Sequence, residues 1–440
     1  MMNITINKSS TIHPSKTTSD SFKQLWTSDL DLVVGRIHVV TVHFYKPNGH
    51  ANIFDSNILR KALGDVLVSF YPMAGRLGRN EKGRIVINCN GEGVLFIEAE
   101  TDSALDDLGN FTPSPELRRL VPTVDYSGDI SSYPLFFAQV THFRCGGVAL
   151  GCGVSHVLSD GLTYFRFINT WSDVARGLSV TDRPFIDRTL LRAREPPTPI
   201  YDHVEYHKPP TVNNVVKKPG PISKSSTAIL KLTPKQLSNL KTKAKSDCGL
   251  VYSSYEVLAA HIWKCVSKAR GLPHDQPTKL HTAVNGRSRL SPQLPPSYLG
   301  NAIFTAATIA KSGDLISKSL SDVVKLIHTT LNKMDNDYLR SAIDYLKLQG
   351  DLSPLVRGRS YFASPNLNVN SWTSLCVYDA DFGWGRPIFM GPANILYEGN
   401  IYILPSPTIN DKSVSLAVCL DEHELPIFEK LLYTRLDARL

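Results

Sequence analysis

A proline-rich stretch near the middle of the chain constrains the fold more than any other feature. Between residues 183 and 223 the prolines stand at positions 184, 196, 197, 199, 209, 210, 219 and 221. Proline fixes φ and lacks a backbone N–H, so this stretch cannot form a regular helix or a central strand. Mixed helix and strand patterns lie on both sides, and 440 residues exceed the usual size of one core. We therefore expect an α/β fold with domains over 1–182 and 224–440, joined by a crossover linker over 183–223.

The composition is ordinary for a globular chain and disfavours nucleic acid and membranes as partners. The net charge is +8, but Lys and Arg are scattered, so no basic arm for nucleic acid is predicted. The 7 cysteines form no CxxC pair, which favours reduced thiols. The N-terminus has no apolar signal segment, and no run reaches the roughly 18 apolar residues of a membrane span. We expect a cytoplasmic protein with no membrane or nucleic-acid partner.

The stretch GVSHVLSDG, residues 153–161, carries the first candidate for chemistry. The pattern predicts that His156 ends a strand and that Asp160 caps the helix that follows. A histidine there could act as a general base, and the alternative is a structural histidine. A metal site, a serine nucleophile in GxSxG and a Cys152 nucleophile are disfavoured, because each lacks the partners that its chemistry requires.

Asp160 and a second stretch, DFGWG, are more readily explained as structural. As a helix cap, Asp160 turns toward its own helix, and an arginine of NGRSRL, Arg287 or Arg289, could pair with it. The list of residues expected to shape the DFGWG loop is Asp381, Gly383, Trp384 and Gly385. Glycines on both sides of a tryptophan usually solve a backbone problem.

HVLSDG and DFGWG together, in this order and separation, resemble the two signatures of the plant BAHD acyl-CoA-dependent acyltransferases. LWTSDLDLV, FYPMAGRL, FINTWSDVARG and YEVLAAHIWKC also resemble this family, so the likeness extends over the whole chain. It implies two similar chloramphenicol-acetyltransferase-like domains with mixed sheets and an active-site channel between them. It also implies that residues of about 381–404 complete the first domain.

The resemblance implies roles for single residues. His156 is the general base, Asp160 pairs with Arg287, and the DFGWG loop supports the fold away from the chemistry. Trp372 donates to the oxyanion, and Asn370 is a further polar contact there. Arg357 holds an acceptor carboxylate. The remaining residues expected at the substrates are Thr41, His43, Ser254, Tyr255 and Ile303. No metal or cofactor is implied beyond acyl-CoA as co-substrate, and a monomer is expected.

Within the family the chain is most similar to hydroxycinnamoyltransferases, through FIDRTLLRAREPPTP and HVEYHKPP. HVLSDG, Thr41, His43 and Ser374 depart from the pattern of the shikimate-using members. These departures favour an aromatic hydroxy acid such as hydroxyphenyllactate, as in rosmarinate synthases, with shikimate or quinate as the alternative. A polyamine acceptor is disfavoured by Arg357, and a catalytically silent binder of CoA esters is the alternative of another class.

Overall fold

A computed structural model describes residues 2–17, 23–49, 53–181, 183–211, 224–245, 249–408 and 410–437. Its strands are β1 (Ile4–Ile12), β2 (Gln24–Trp26), β3 (His38–Tyr45), β4 (Arg76–Arg79), β5 (Ile85–Asn88), β6 (Val94–Thr101), β7 (Phe136–Phe143), β8 (Val148–Ser155), β9 (Ser225–Leu232), β10 (Pro277–Asn285), β11 (Ile303–Lys311), β12 (Leu367–Ser371), β13 (Phe389–Pro392), β14 (Asn400–Pro405) and β15 (Val414–Asp421). Its helices are α1 (Asp29–Leu32), α2 (Ser56–Ser69), α3 (Pro115–Arg118), α4 (Gly161–Ala175), α5 (Pro234–Lys243), α6 (Ser254–Ala269), α7 (Ser312–Ser317), α8 (Leu320–Asn332), α9 (Asn336–Lys347), α10 (Arg359–Phe362) and α11 (Glu424–Asp437).

Two mixed sheets form two α/β domains. The first sheet has the order β1-β6-β7-β8-β3-β13, and the second has the order β11-β10-β12-β14-β15-β9. In the first sheet, β3 pairs antiparallel with β8, β8 antiparallel with β7, and β7 parallel with β6. In the second sheet, β9, β15, β14 and β12 follow the same sequence of two antiparallel pairings and one parallel pairing. A small third sheet, β2-β5-β4, flanks the first domain. The mixed α/β class expected from the sequence is confirmed.

Helices α2 and α4 cover one face of the first sheet. Trp171 of α4 is fully buried and donates from Nε1 to the Leu59 carbonyl of α2 at 3.0 Å. The phenyl rings of Phe136 and Phe167 pack edge to face 4.8 Å apart beneath it. This packing fixes α4 against the sheet, and therefore fixes the junction where β8 ends and α4 begins.

The second sheet packs one face against α6, and the opposite face carries both polar and apolar side chains. Leu280 of β10, Val369 of β12 and Ile401 of β14 point to the same face of the sheet and pack with α6 in one buried core. Residues between them point to the opposite face, because side chains alternate along a strand. His281 and Asn370 lie on that opposite face, which therefore carries polar groups toward the junction of the two domains.

Local capping signals hold where they were predicted. Ser253 and Glu256 form the capping box of α6, and Asp160 caps α4 by accepting from the Thr163 amide. The turn CNGEG joins two strands as expected, but these strands, β5 and β6, belong to different sheets. Of the segment 381–404, only β13 returns to the first sheet, whereas β14 lies in the second.

The described part of the linker, residues 183–211, packs against α9. His203 contacts the Ser341 hydroxyl through Nε2 at 2.8 Å and Glu205 through Nδ1 at 3.0 Å. Glu205 in turn accepts from the Tyr338 hydroxyl at 2.7 Å. This buried network fixes the segment HVEY, residues 203–206, on the second domain. Residues 212–223 of the expected linker lie outside the described residues.

No helix within the described ranges combines the length and apolar character that a membrane span requires. The six cysteines in these ranges are free thiols, and Cys248 lies outside them.

Candidate active site

His156 lies directly after β8, at the point where the two domains meet. Its backbone amide donates to the Ile37 carbonyl at 2.9 Å, and its own carbonyl accepts from Asn301 of the second domain at 2.7 Å. These contacts fix the backbone on both sides of the imidazole. The ring can therefore be presented in one orientation to a molecule bound between the domains.

The His156 imidazole is suited to accept a proton. Its Nδ1 is buried and has no hydrogen-bond partner among the described residues. Burial is the main cause that lowers the pKa of His156 below 6.5, and the positive charge of Arg357 lowers it further. Nearby backbone groups and Asp160 oppose this shift. A histidine with a lowered pKa is neutral at pH 7 and holds a free lone pair.

Asp160 is engaged by the second domain. Arg287 donates to both carboxylate oxygens, at 2.7 and 3.1 Å, and the Ala302 amide donates at 3.1 Å. Burial alone would raise the pKa of the Asp160 carboxyl, but the Arg287 charge and these hydrogen bonds bring it below its usual value. Asp160 is thus an ionised brace between the domains.

A second buried brace holds the His156 loop and was not identified from the sequence. Asn301 donates from Nδ2 to Asp31 at 2.9 Å as well as to the His156 carbonyl. Asp31 forms a buried ion pair with Arg188 at 3.0 Å, and Arg188 donates to the Leu158 carbonyl at 2.5 Å. The brace joins α1, the linker and the loop before β11 around residues 156–158. Asp31 falls in LWTSDLDLV, a quoted motif, but its contacts are distant in sequence.

Arg357 acts electrostatically on His156 and has an unused donor. Its backbone amide donates to the Val33 carbonyl at 3.1 Å, which ties residues 356–358 to the first domain. The side-chain Nη2 is buried and has no partner within the described part of the chain. A buried guanidinium nitrogen without a partner is a strong site for an anionic oxygen.

Trp372 and Asn370 lie at the end of β12, on the face of the second sheet opposite α6. The indole ring lies 5.7 Å from Phe165 of α4 and 5.0 Å from Tyr402 of β14, between centroids. The Trp372 amide donates to the Ile403 carbonyl at 2.8 Å. Asn370 Oδ1 is buried and has no partner in the described ranges. The tryptophan therefore bridges the two domains.

Thr41 and His43 both lie on β3, on the face that packs against α4. Thr41 shares a hydrogen bond of 2.7 Å with the Tyr164 hydroxyl. The His43 ring is fully buried, its nitrogens have no partner among the described residues, and burial lowers its pKa to about 4. Its ring lies 6.3 Å from Phe165, which contacts Trp372. The Phe165 ring therefore lies between His43 and Trp372, which follows β12.

Three further residues expected at the substrates are distant from His156 in sequence and do not contact its ring. The Tyr255 hydroxyl donates to the Val369 carbonyl at 2.9 Å and shares a hydrogen bond of 2.8 Å with the Thr282 hydroxyl, so it is already engaged. Ser254 is exposed at the first turn of α6, and Ile303 is half-buried at the start of β11. No contact joins these three to the His156 ring in the described ranges.

The DFGWG loop is built around the Asp381 carboxylate. It accepts from the amides of Gly383 and Gly385 at 2.8 and 3.0 Å, and both glycines have positive φ, 98° and 101°. The Trp384 ring stacks on Phe54 at 5.1 Å. These contacts tie the loop to the helical side of the first domain.

Other chemistries find little support at this site. Cys152 is fully buried in β8, and burial raises the pKa of its thiol far above the usual value. The thiol therefore stays protonated and inaccessible. Across the described ranges, no group of three His, Cys, Asp or Glu side chains is arranged to hold a metal ion.

Comparison with known proteins agrees with this geometry. The model of the family described as "Transferase family" matches residues 2–434. A shikimate O-hydroxycinnamoyltransferase from Nicotiana tabacum is 54% identical, over 98% of this chain and 100% of that protein. A rosmarinate synthase from Plectranthus scutellarioides is 46% identical, also over 98% of this chain and 100% of that protein.

Solved structures share the fold. Vinorine synthase superposes with a TM-score of 0.73 at 23% identity, over 97% of this chain and 96% of that one. TRI101 of F. graminearum, in complex with coenzyme A and T-2 mycotoxin, superposes with a TM-score of 0.73 at 18% identity, over 92% and 96%. The match over nearly the whole chain, with HVLSDG and DFGWG in place, shows that this protein belongs to the Transferase family, the BAHD acyltransferases, and is an acyltransferase.

Proposed function

We propose that the enzyme transfers a hydroxycinnamoyl group from coenzyme A to a hydroxyl of a small carboxylic acid. The observation that carries this proposal is the buried Arg357 Nη2, which has no partner among the described residues and acts electrostatically on His156. A guanidinium binds a carboxylate through two parallel hydrogen bonds. The relatives named for hydroxycinnamoyl transfer, at 54% and 46% identity, support the acyl group.

The proposed reaction is a direct transfer. His156 takes the proton of the acceptor hydroxyl as its oxygen attacks the thioester carbonyl. The oxyanion of the tetrahedral intermediate accepts a hydrogen bond from the Trp372 indole, with Asn370 as a further polar contact. The C–S bond then breaks, the ester carbonyl reforms, and the protonated His156 returns its proton to the departing thiolate. Atoms and charge balance without any other reactant.

Shikimate or quinate is the acceptor class that we favour. The Nicotiana tabacum relative is named for shikimate and is 54% identical, against 46% for the relative named for rosmarinate. The Arg357 charge also acts on His281 and on Tyr206, whose buried polar atoms have no partner among the described residues. Hydroxylated alicyclic acids suit such a lining better than apolar acceptors do.

Hydroxyphenyllactate is the second candidate. The Tyr361 ring lies near Arg357 and stacks on His281 at 3.8 Å, which offers an aromatic surface to an aromatic acceptor. The departures of HVLSDG, Thr41 and His43 from the shikimate-using pattern point the same way.

The proposal is tested with p-coumaroyl-CoA and three acids, shikimate, quinate and 4-hydroxyphenyllactate, with methyl shikimate as the uncharged control. We expect ester formation and stoichiometric release of CoA thiol with at least one acid. The methyl ester should have an acceptor KM about 10- to 100-fold higher than shikimate, because it cannot form the charged pair. Thiol release with none of the acids would refute hydroxycinnamoyl transfer to such acceptors, and equal KM values for acid and ester would refute the carboxylate contact.

A further inference from the structure

Four buried polar atoms without partners belong to three side chains, one on β10, one on the linker and one on the loop before α10. They are both ring nitrogens of His281, the Tyr206 hydroxyl and Arg357 Nη2, all of them unpaired within the described ranges. His281 is 1% exposed and Tyr206 is 9% exposed. Leaving one such group unpaired destabilises a fold, and proteins satisfy nearly all of them. Two unpaired side chains together with an unpaired guanidinium nitrogen therefore indicate a place for a polar ligand.

Two other buried histidines of this protein show what a structural role looks like. His38 contacts the Tyr126 hydroxyl through Nδ1 at 2.7 Å and the Pro134 carbonyl through Nε2 at 2.8 Å. His203 is likewise engaged through both nitrogens. His281 is as buried as these two, yet neither of its nitrogens contacts a described hydrogen-bond partner.

The second sheet presents His281 to the domain junction. β10 pairs with β12 in parallel, with His281 opposite Asn368, so His281 lies on the same face as Asn370. The His281 ring stacks on Tyr361 at 3.8 Å with an angle of 26° between the rings. This stacking fixes the plane of the imidazole, so its nitrogens point in directions that the fold has set.

The linker brings Tyr206 to the same place. Lys279, two residues before His281 on β10, donates to the Val204 carbonyl at 2.7 Å. The His203 and Glu205 network holds this segment against α9 from the other side. The Tyr206 ring stacks on Tyr345 at 5.7 Å, with 10° between the rings. The Tyr206 ring is thus held in place by Tyr345 and by the contacts of its segment with β10 and α9.

Arg357 acts electrostatically on both groups. Its charge contributes to a lowered pKa of His281, after burial and Lys279, and it counters the rise that burial causes in the pKa of Tyr206. Contacts link the same three places: the Tyr361 ring that stacks on His281 lies four residues after Arg357, and Lys279 on β10 contacts Val204, two residues before Tyr206. At neutral pH, His281 is an uncharged imidazole with one donor and one acceptor, and Tyr206 is an uncharged phenol. Such a pair matches a hydroxyl group, which both donates and accepts.

We propose that His281 and Tyr206 form, with Arg357, an acceptor subsite that selects carboxylic acids carrying a second hydroxyl besides the one that is acylated. This inference rests on the proposed function, in which Arg357 binds the carboxylate. The substrate class is a hydroxylated acid with at least two hydroxyls, whether alicyclic or phenolic. An acceptor without the second hydroxyl leaves the imidazole and the phenol buried and unpaired, and is discriminated against for that reason.

The test uses matched acceptors and matched variants. The acceptor pairs are 4-hydroxyphenyllactate against phenyllactate, and shikimate against deoxy analogues that lack one of the ring hydroxyls not acylated. The variants are His281→Phe, which keeps a ring for stacking on Tyr361, and Tyr206→Phe. The controls are His207→Phe and Tyr201→Phe, which change exposed side chains of the same linker segment. Kinetic constants for acceptor and donor and the melting temperature are measured for each.

We expect the wild type to prefer the doubly hydroxylated member of at least one pair. His281→Phe and Tyr206→Phe should each lower that preference about two- to tenfold through the acceptor KM, with the donor KM unchanged. His281→Phe should not lower the melting temperature, because it removes buried groups that have no partner among the described residues. The controls should retain the preference.

Unchanged preference in both variants, or a preference lost equally in the controls, would overturn the subsite. A wild type that turns over carboxylic acids but does not distinguish the members of either pair would also overturn it. A wild type that acylates no carboxylic acid at all would instead refute the proposed function, so the two failures are distinguishable.

Discussion

Arg287 binds the Asp160 carboxylate through two nitrogens, at 2.7 and 3.1 Å, whereas Nδ1 of His156, four residues earlier, has no partner in the described structure. The Asp160 side chain therefore joins the two domains, whereas the His156 imidazole remains available to a substrate. His156 and Asp160 cannot form a catalytic dyad in which Asp160 orients the imidazole, because the Asp160 carboxylate oxygens are already engaged by Arg287 and by backbone amides.

Replacing Asp160 with Asn should destabilise the protein strongly. The change leaves the buried Arg287 charge without its partner, and breaking a buried pair costs about 3–5 kcal/mol. The free energy of unfolding is measured with urea. Asp173→Asn is the control, since it breaks the exposed pair with Arg176 and should cost less than about 1 kcal/mol. Equal effects of the two changes would contradict the role of Asp160 as a brace.

Removing the charge of Arg357 should change both acceptor binding and the pH profile. The pKa of His156 is lowered by burial first and by Arg357 second, so the acid limb of kcat/KM should lie below pH 6.5. Arg357→Gln removes one of the lowering causes, so the limb should move to higher pH, and the acceptor KM should rise about 10-fold or more.

Arg357→Lys separates these two effects. Lysine keeps the positive charge beside His156, so the acid limb should stay low, but it cannot bind a carboxylate through two parallel hydrogen bonds. An acid limb that stays in place in Arg357→Gln would show that this charge does not act on His156.

Trp372→Phe tests the oxyanion contact. Phenylalanine retains an aromatic ring against Phe165 and Tyr402 but lacks the indole N–H. Loss of one oxyanion donor should lower kcat about 100- to 1,000-fold with little change in either KM. Steady-state kinetics with saturating p-coumaroyl-CoA measure it, and a change in KM alone would assign Trp372 to binding instead.

Asn301 should act on the reaction through the position of His156. Asn301→Ala removes the donor to the His156 carbonyl and to Asp31, so we expect a loss of about 1–3 kcal/mol in unfolding free energy and a lower kcat. Asn169→Ala is the control, because it removes an exposed amide that donates to the Cys376 carbonyl. A variant that loses stability but keeps full kcat would make Asn301 purely structural.

The fold and part of the site follow from local sequence. Proline density predicts a linker, and Ser253 with Glu256 and Asp160 mark the starts of α6 and α4, since each signal acts within a few residues. Asn301 and Asp31 could not be identified in this way, because the contact joins residues 270 apart. His281 was missed for a related reason: on its strand it resembles any polar residue, and its lack of partners, which His43 shares, is visible only in three dimensions.

The central claim is that His156 is the general base of acyl transfer from a hydroxycinnamoyl-CoA. The most direct measurement is CoA thiol release by wild type and His156→Ala, with p-coumaroyl-CoA and the acceptor that the wild type uses best, after circular dichroism has shown that both are folded. The account predicts that kcat falls about 100- to 10,000-fold in the variant, because the acceptor hydroxyl loses its proton acceptor. A folded His156→Ala variant with wild-type kcat would contradict it.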